Sequence, residues 1–144
     1  FLVWNFPPAK IFMGDACSGF LGLMLGALSL QAAWENSSML WCWIVLLAVF
    51  IADATVTLLR RLLRGEKVYE AHRSHAYQFA SRYFGAHKPV TIAVMLINLF
   101  WLLPVALCIA TGVLDGSLAM LIAYIPVLVL VYKYKAGATE LQND

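Results

Sequence analysis

Four apolar stretches, each close to the length a helix needs to cross a bilayer, decide what this chain can be. They run from about Ser18 to Trp34, Leu40 to Leu59, Val90 to Ala110 and Leu118 to Tyr132. A hydrocarbon layer of about 30 Å takes roughly 20 helical residues at about 1.5 Å each. Charged residues make up only 12% of the 144 residues, against about 25% in a soluble domain. That is too little charge to clothe a globular surface in water. The expected fold is therefore all-α, a polytopic integral membrane protein with about four transmembrane helices, taken as one unit over residues 1–144.

The connections between these stretches divide by charge. Glu35 to Ser38 and Thr111 to Ser117 hold no Lys or Arg, whereas Arg60 to Pro89 holds seven of the ten basic residues and all three histidines. Lys10 precedes the first stretch, and Lys133 and Lys135 follow the last. With four crossings, every Lys and Arg falls on one side, which the positive-inside rule makes cytoplasmic. Both ends and the 60–89 loop are expected there. Trp34, Trp41, Trp43, Tyr132 and Tyr134 stand where interfacial aromatic belts sit. Cys17, Cys42 and Cys108 show neither a disulfide framework nor a metal-ligand spacing. No signal peptide or nucleic-acid motif is visible, and a chain that opens at Phe1 inside an apolar segment is expected to be a piece of something longer.

Three segments can carry polar chemistry. In Asn5 to Gly19, two prolines lead into a helix that starts near Gly14-Asp15. Asp15 has two readings: a cap on exposed backbone N–H groups, or a carboxylate that holds Mg²⁺ together with substrate phosphates. Lys10 either snorkels to headgroups or pairs a phosphate. In the basic loop, helical spacing puts His72, His75, Ala76, Phe79 and Tyr83 on one face, with Arg82 at its border and Arg73 pointing away. Such a segment would lie along the membrane with its aromatics down. Asp53 lies within the second stretch, about 10 Å before Arg60. It is a functional residue by default, or a hydrogen-bonding post that orients the loop. Asn98 and Pro104 are expected to serve packing and a kink.

Phe12-Met13-Gly14-Asp15-Ala16-Cys17-Ser18 resembles the FMGDAGS element of the polyprenyl-phosphate N-acetylhexosamine-1-phosphate transferases. Two helices later that family carries an Arg-Arg pair, a Gly and a His-x-His-His motif. Arg60-Arg61, Gly65 and Arg73-Ser74-His75-Ala76-Tyr77-Gln78 stand in the same order and spacing. The resemblance covers most of Asn5 to about Val90. It implies a magnesium-associated role for Asp15 and a nucleotide-sugar and phosphate role for His75. Cys17 replaces a glycine, Tyr77 and Gln78 replace the second and third histidines, and His72 stands where many members have Asp. This variant looks like the branch that begins O-antigen chains of lipopolysaccharide. An Asp-Asp-x-x-Asp motif is implied upstream of Phe1, so the chain would be the C-terminal portion of a ten- or eleven-helix enzyme and inactive alone.

The resemblance implies transfer of a sugar-1-phosphate from a UDP-sugar to undecaprenyl phosphate, with UMP released, in the bacterial inner membrane. The cofactor would be Mg²⁺, with Mn²⁺ as a substitute. The partners would be the UDP-sugar, undecaprenyl phosphate, the bilayer and, in a homodimer, a second copy, with no nucleic acid. Asp15 and His75 would be catalytic, and Lys10, His72, Arg73 and Arg82 would bind phosphate or substrate. His75 either moves a proton or steadies phosphate oxygens. The rival from another class is a non-enzymatic four-helix membrane protein, such as a transporter subunit or a lipid-binding scaffold.

Overall fold

The computed structural model describes residues 1–6, 9–67 and 74–138, which form helices and connecting turns with no strand among them. The order is α1 (Leu2–Asn5), α2 (Asp15–Glu35), α3 (Ser37–Leu46), α4 (Ala48–Leu63), α5 (Ala76–Tyr83) and α6 (His87–Ile97). A π-helical stretch (Asn98–Leu102), α7 (Leu103–Ala110) and α8 (Gly116–Lys133) follow. Three rods are long and apolar enough to cross a bilayer: α2, the continuous His87–Ala110 helix, and α8. The pair α3 and α4 is a fourth candidate when counted as one span broken by a 70° bend. The chain is an all-α, multi-pass membrane protein.

Two local expectations are corrected. The second span is not one straight run, because the helix breaks at Leu47. Neither proline nor glycine stands there, so packing sets the bend: α3 lies against α7 and α8, while α4 turns away along α8. The polar loop is also shorter than residues 60–89, since α4 continues to Leu63, α6 begins at His87, and α5 occupies the middle. On α5 the buried residues are Ala76, Phe79, Ala80 and Ser81, while Tyr83 is 80% exposed. Its inner face packs on α4, α6 and α8 rather than lying down on lipid.

The core is made from small side chains. Gly116, Ala119, Ala123, Val127 and Val131 form one buried stripe along α8, and Ala48 and Ala52 meet it from α4. Lipid tails are as apolar as leucine, so membrane helices associate through close backbone approach, which small residues permit. The Tyr124 hydroxyl donates to the Ile44 carbonyl at 3.1 Å and the Cys42 thiol to the Ala106 carbonyl at 3.4 Å. Trp41, expected in an interfacial belt, instead packs against the start of α8. A Cβ built on Gly116 would sit 2.3 Å from its ring.

The third span accommodates Pro104 through its π-helical stretch. A proline inside a helix lacks its N–H and clashes with the carbonyl four residues back. Here the Leu103 N–H reaches five residues back to the Asn98 carbonyl, widening the turn just before the proline. Gly116→Ala is expected to destabilise the detergent-solubilised protein by about 1–3 kcal/mol, the cost of overpacking. Thermal unfolding should show a lowered midpoint, and an unchanged one would remove Trp41 and Gly116 from the packing argument.

Candidate functional site

One carboxylate joins the membrane helices to the polar loop. Asp53, on α4 and 13% exposed at its side chain, accepts the Ala76 backbone N–H at 2.8 Å and the Thr57 hydroxyl at 3.3 Å. The first N–H groups of a helix have no partner within it, and here a neighbouring helix supplies one for α5. His75 stands at the N-cap of α5 with its Nδ1 3.6 Å from the same Asp53 oxygen. The His75 N–H donates to Gln78 Oε1 at 3.1 Å, and Tyr77 stacks on the imidazole with centroids 5.8 Å apart. Of the two readings of Asp53, the geometry shows the hydrogen-bonding post: its carboxylate holds the start of α5.

The arginines act as braces. Arg61 is 5% exposed, with Nε 2.9 Å from Glu66 and Nη2 donating to the Lys67 carbonyl at 3.0 Å. Arg64 holds the other oxygen of Glu66 at 2.7 Å. Hydrogen bonds from Arg64 and then Arg61 keep the Glu66 carboxyl below the usual carboxylate range. Arg60 lies over the Tyr132 ring at 4.4 Å and donates to the Ala136 carbonyl at 2.6 Å. The next residue, Gly137, donates its N–H to the Ser74 carbonyl at 2.5 Å. Its φ of +73° favours glycine, and Arg60 and Thr57, 3.0–3.2 Å from a built Cβ, leave a side chain little room. The turn after α8 therefore anchors the residue just before His75.

Beside this post lies a cavity of about 980 Å³. One wall is Leu46, Leu47, Val49, Phe50 and Ala54 of the α3–α4 bend, and the facing wall is Val90, Val94 and Met95 of α6. The segment before α2 closes a side with Phe6, Ala9 and Phe12. Asp53, His75, Tyr77 and His87 gather at the end where α5 and α6 begin, and Asn98 marks the other end. From His87 to Asn98 the α6 wall rises about 16 Å at the helical rise of about 1.5 Å per residue. An elongated, mostly apolar cavity whose ionisable groups gather at one end suits an amphiphile.

The candidates read from the sequence are distributed unevenly around it. His75 lines the cavity and so does Phe12, three residues before Asp15. Asp15 is exposed at the first position of α2, where its negative charge suits the helix dipole. It makes no side-chain cap there, since the N-cap is Gly14 and carries no capping side chain. Lys10 faces the Trp4 ring at 5.4 Å, and Arg82 lies over Phe79 at 4.4 Å, so neither reaches the cavity wall. His72 and Arg73 fall outside the described residues. Sequence reasoning passed over His87, whose only signal was a position just before Pro89 at the start of a helix. Among the described residues, no three His, Cys, Asp or Glu side chains could together hold a metal.

Comparison with known proteins bears on the family of the chain. The model of glycosyl transferase family 4 matches residues 1–33. A probable undecaprenyl-phosphate N-acetylglucosaminyl 1-phosphate transferase of Bacillus subtilis (strain 168) is 33% identical over 100 residues, 68% of this chain and 28% of that protein. A decaprenyl-phosphate N-acetylglucosaminephosphotransferase of Mycolicibacterium smegmatis is 32% identical over 109 residues, 67% of this chain and 27% of its own length. Its namesake from Mycobacterium leprae is 29% identical over 109 residues, with the same coverage of both chains. The chain thus spans little more than a quarter of the curated relatives it matches. No solved structure matches it. The family match over the segment before and into α2, and three transferases aligned over about two thirds of the chain, point the same way: the chain belongs to the polyprenyl-phosphate hexosamine-1-phosphate transferase family, glycosyl transferase family 4.

Proposed function

We propose that this chain forms the acceptor-lipid side of an enzyme that transfers an N-acetylhexosamine-1-phosphate from a UDP-sugar to undecaprenyl phosphate, releasing UMP. The cavity is the observation that carries this reading. Its apolar walls match an isoprenyl chain, and its polar end, with His75, matches a phosphate. In the transfer, an oxygen of the lipid phosphate attacks the sugar-bearing phosphorus of the donor. The bond from that phosphorus to the bridging oxygen breaks, and UMP leaves with that oxygen. Both reactants are anions, so the site must lower their repulsion and hold them in line.

His75 steadies phosphate oxygens at the cavity mouth. Asp53 lies on the Nδ1 side of its ring, which puts Nε2 on the opposite edge. Asp15 would contribute one carboxylate to a bound Mg²⁺, with Mn²⁺ as a substitute, and that charge would offset the charge of the donor diphosphate. Lys10, His72, Arg73 and Arg82 remain secondary phosphate contacts in this reading. The chemistry takes place at the cytoplasmic face of the bacterial inner membrane, where the nucleotide sugar arrives. The product begins a lipid-linked glycan, of which O-antigen is the example that Tyr77 and Gln78 suggest, and a homodimer is compatible with it.

Three substitutions test the reading in membranes carrying the complete protein. Asp15→Asn is expected to abolish divalent-dependent UMP release from a UDP-N-acetylhexosamine, and retained activity would sink the metal role. His75→Ala should lower turnover about 10- to 100-fold, the worth of a lost charge-assisted hydrogen bond, with membrane insertion unchanged. A fully active variant would return His75 to the role of a surface anchor. Asp53→Ala removes the cap on α5 and should cost about 1–2 kcal/mol of stability together with most of the activity. If stability falls while turnover holds, Asp53 supports the fold and not the site. A wild-type protein that releases no UMP with any UDP-N-acetylhexosamine would favour the lipid-binding scaffold.

A further inference from the structure

The cavity presents a second imidazole besides His75. His87 is the first residue of α6 and lines the same cavity as His75 and Tyr77. The two histidines belong to different helices, α5 and α6, which pack against each other. Each stands at a helix N-terminus: His75 at the N-cap of α5 and His87 one position inside α6. The two ends differ in one respect. The opening N–H of α5 is taken by Asp53, whereas the N-cap of α6, Ala86, has no side chain able to cap it. The uncapped N–H groups and positive dipole end of α6 therefore open beside His87, next to the polar end of an apolar cavity.

The remaining polar residues on the wall do not supply a second positive group. Asp53 is acidic and committed to Ala76 and Thr57. Asn5 donates its side-chain amide to the Ile11 carbonyl, and Thr91 turns its hydroxyl back to the His87 carbonyl. Asn98 sits at the far, apolar end. No Lys or Arg lines the cavity among the described residues. His87 and His75 are the wall residues that can carry positive charge.

We infer that His87 is a binding residue for the acceptor, gripping the phosphate of a long-chain isoprenyl phosphate from the α6 side while the apolar walls hold its chain. The inference rests on the acceptor reading above and deepens it by naming the residue that distinguishes a phosphate-headed lipid from its neutral alcohol. Because His87 is exposed, its replacement removes no packing. The imidazole acts in the binding of acceptor and not of the nucleotide donor.

Thermal unfolding of the complete solubilised protein, with and without added lipid, tests it apart from chemistry. Undecaprenyl phosphate should raise the midpoint of the wild type more than undecaprenol does. His87→Ala should erase that difference, and His87→Lys, which keeps a positive charge, should restore part of it. In turnover assays His87→Ala should raise the KM for undecaprenyl phosphate about tenfold, leaving the KM for the UDP-sugar within about twofold. An unchanged phosphate-dependent shift in His87→Ala overturns the assignment, as does a rise in the donor KM instead. So does an equal shift with phosphatidic acid, which would mean that any anionic headgroup suffices. If the wild type turns over no UDP-sugar but shows the phosphate-dependent shift, the transferase reading fails while His87 keeps its role.

Discussion

The hydrogen bond from the Ala76 N–H to the Asp53 carboxylate is the contact on which the site depends. A carboxylate within a membrane-spanning helix is costly unless it finds donors. A short helix such as α5, of eight residues, is marginal unless its ends are satisfied. Each solves the other's problem. The bond also places α5 at a defined height beside α4, and the N-cap residue that comes with it is His75. On the other side of His75, the Ser74 carbonyl is held by Gly137, whose turn is tied to α4 through Arg60. The imidazole thus sits between two anchors that trace back to the same helix.

The cavity follows from how the small-residue core packs. Close approach of Ala48 and Ala52 to the α8 stripe draws α4 along α8, while α3 stays against α7. A chain that must satisfy both contacts bends at Leu47. That bend leaves a wedge between α4 and α6, walled by Leu46, Val49 and Phe50 on one side and Val90, Val94 and Met95 on the other. The void is therefore a consequence of good packing elsewhere.

The helices and their membrane setting were legible because apolar length is a one-dimensional signal. A bilayer needs about 20 residues, and no alternative fold uses four such runs. The bend at Leu47 was hidden, since no proline or glycine marks it and its cause lies in α7 and α8. Asp53 was visible as an anomaly, but its partner lies 23 residues away across a turn, and nothing in local spacing points to Ala76. Tyr83 shows the limit of helical periodicity. It continues the spacing of Ala76, Phe79 and Ala80, yet the helix ends there and leaves it exposed. His87 was missed because a histidine beside a lysine and a proline looks like a solvated helix start until the opposite wall of the cavity is known.

The basic groups of the chain serve two purposes that sequence alone could not separate. Arg60, Arg61 and Arg64 are all engaged within the fold, by Tyr132, Ala136, Glu66 and Lys67. The cavity wall holds histidines instead. The distinction decides how the phosphate-headed amphiphile proposed for the cavity would be held. A guanidinium facing the cavity would hold phosphate through a permanent, bidentate contact. An imidazole would hold it through single N–H contacts, a looser and less directional grip than a guanidinium fork. With Arg60, Arg61 and Arg64 bracing the loop, the basic side chains that line the cavity among the described residues are imidazoles.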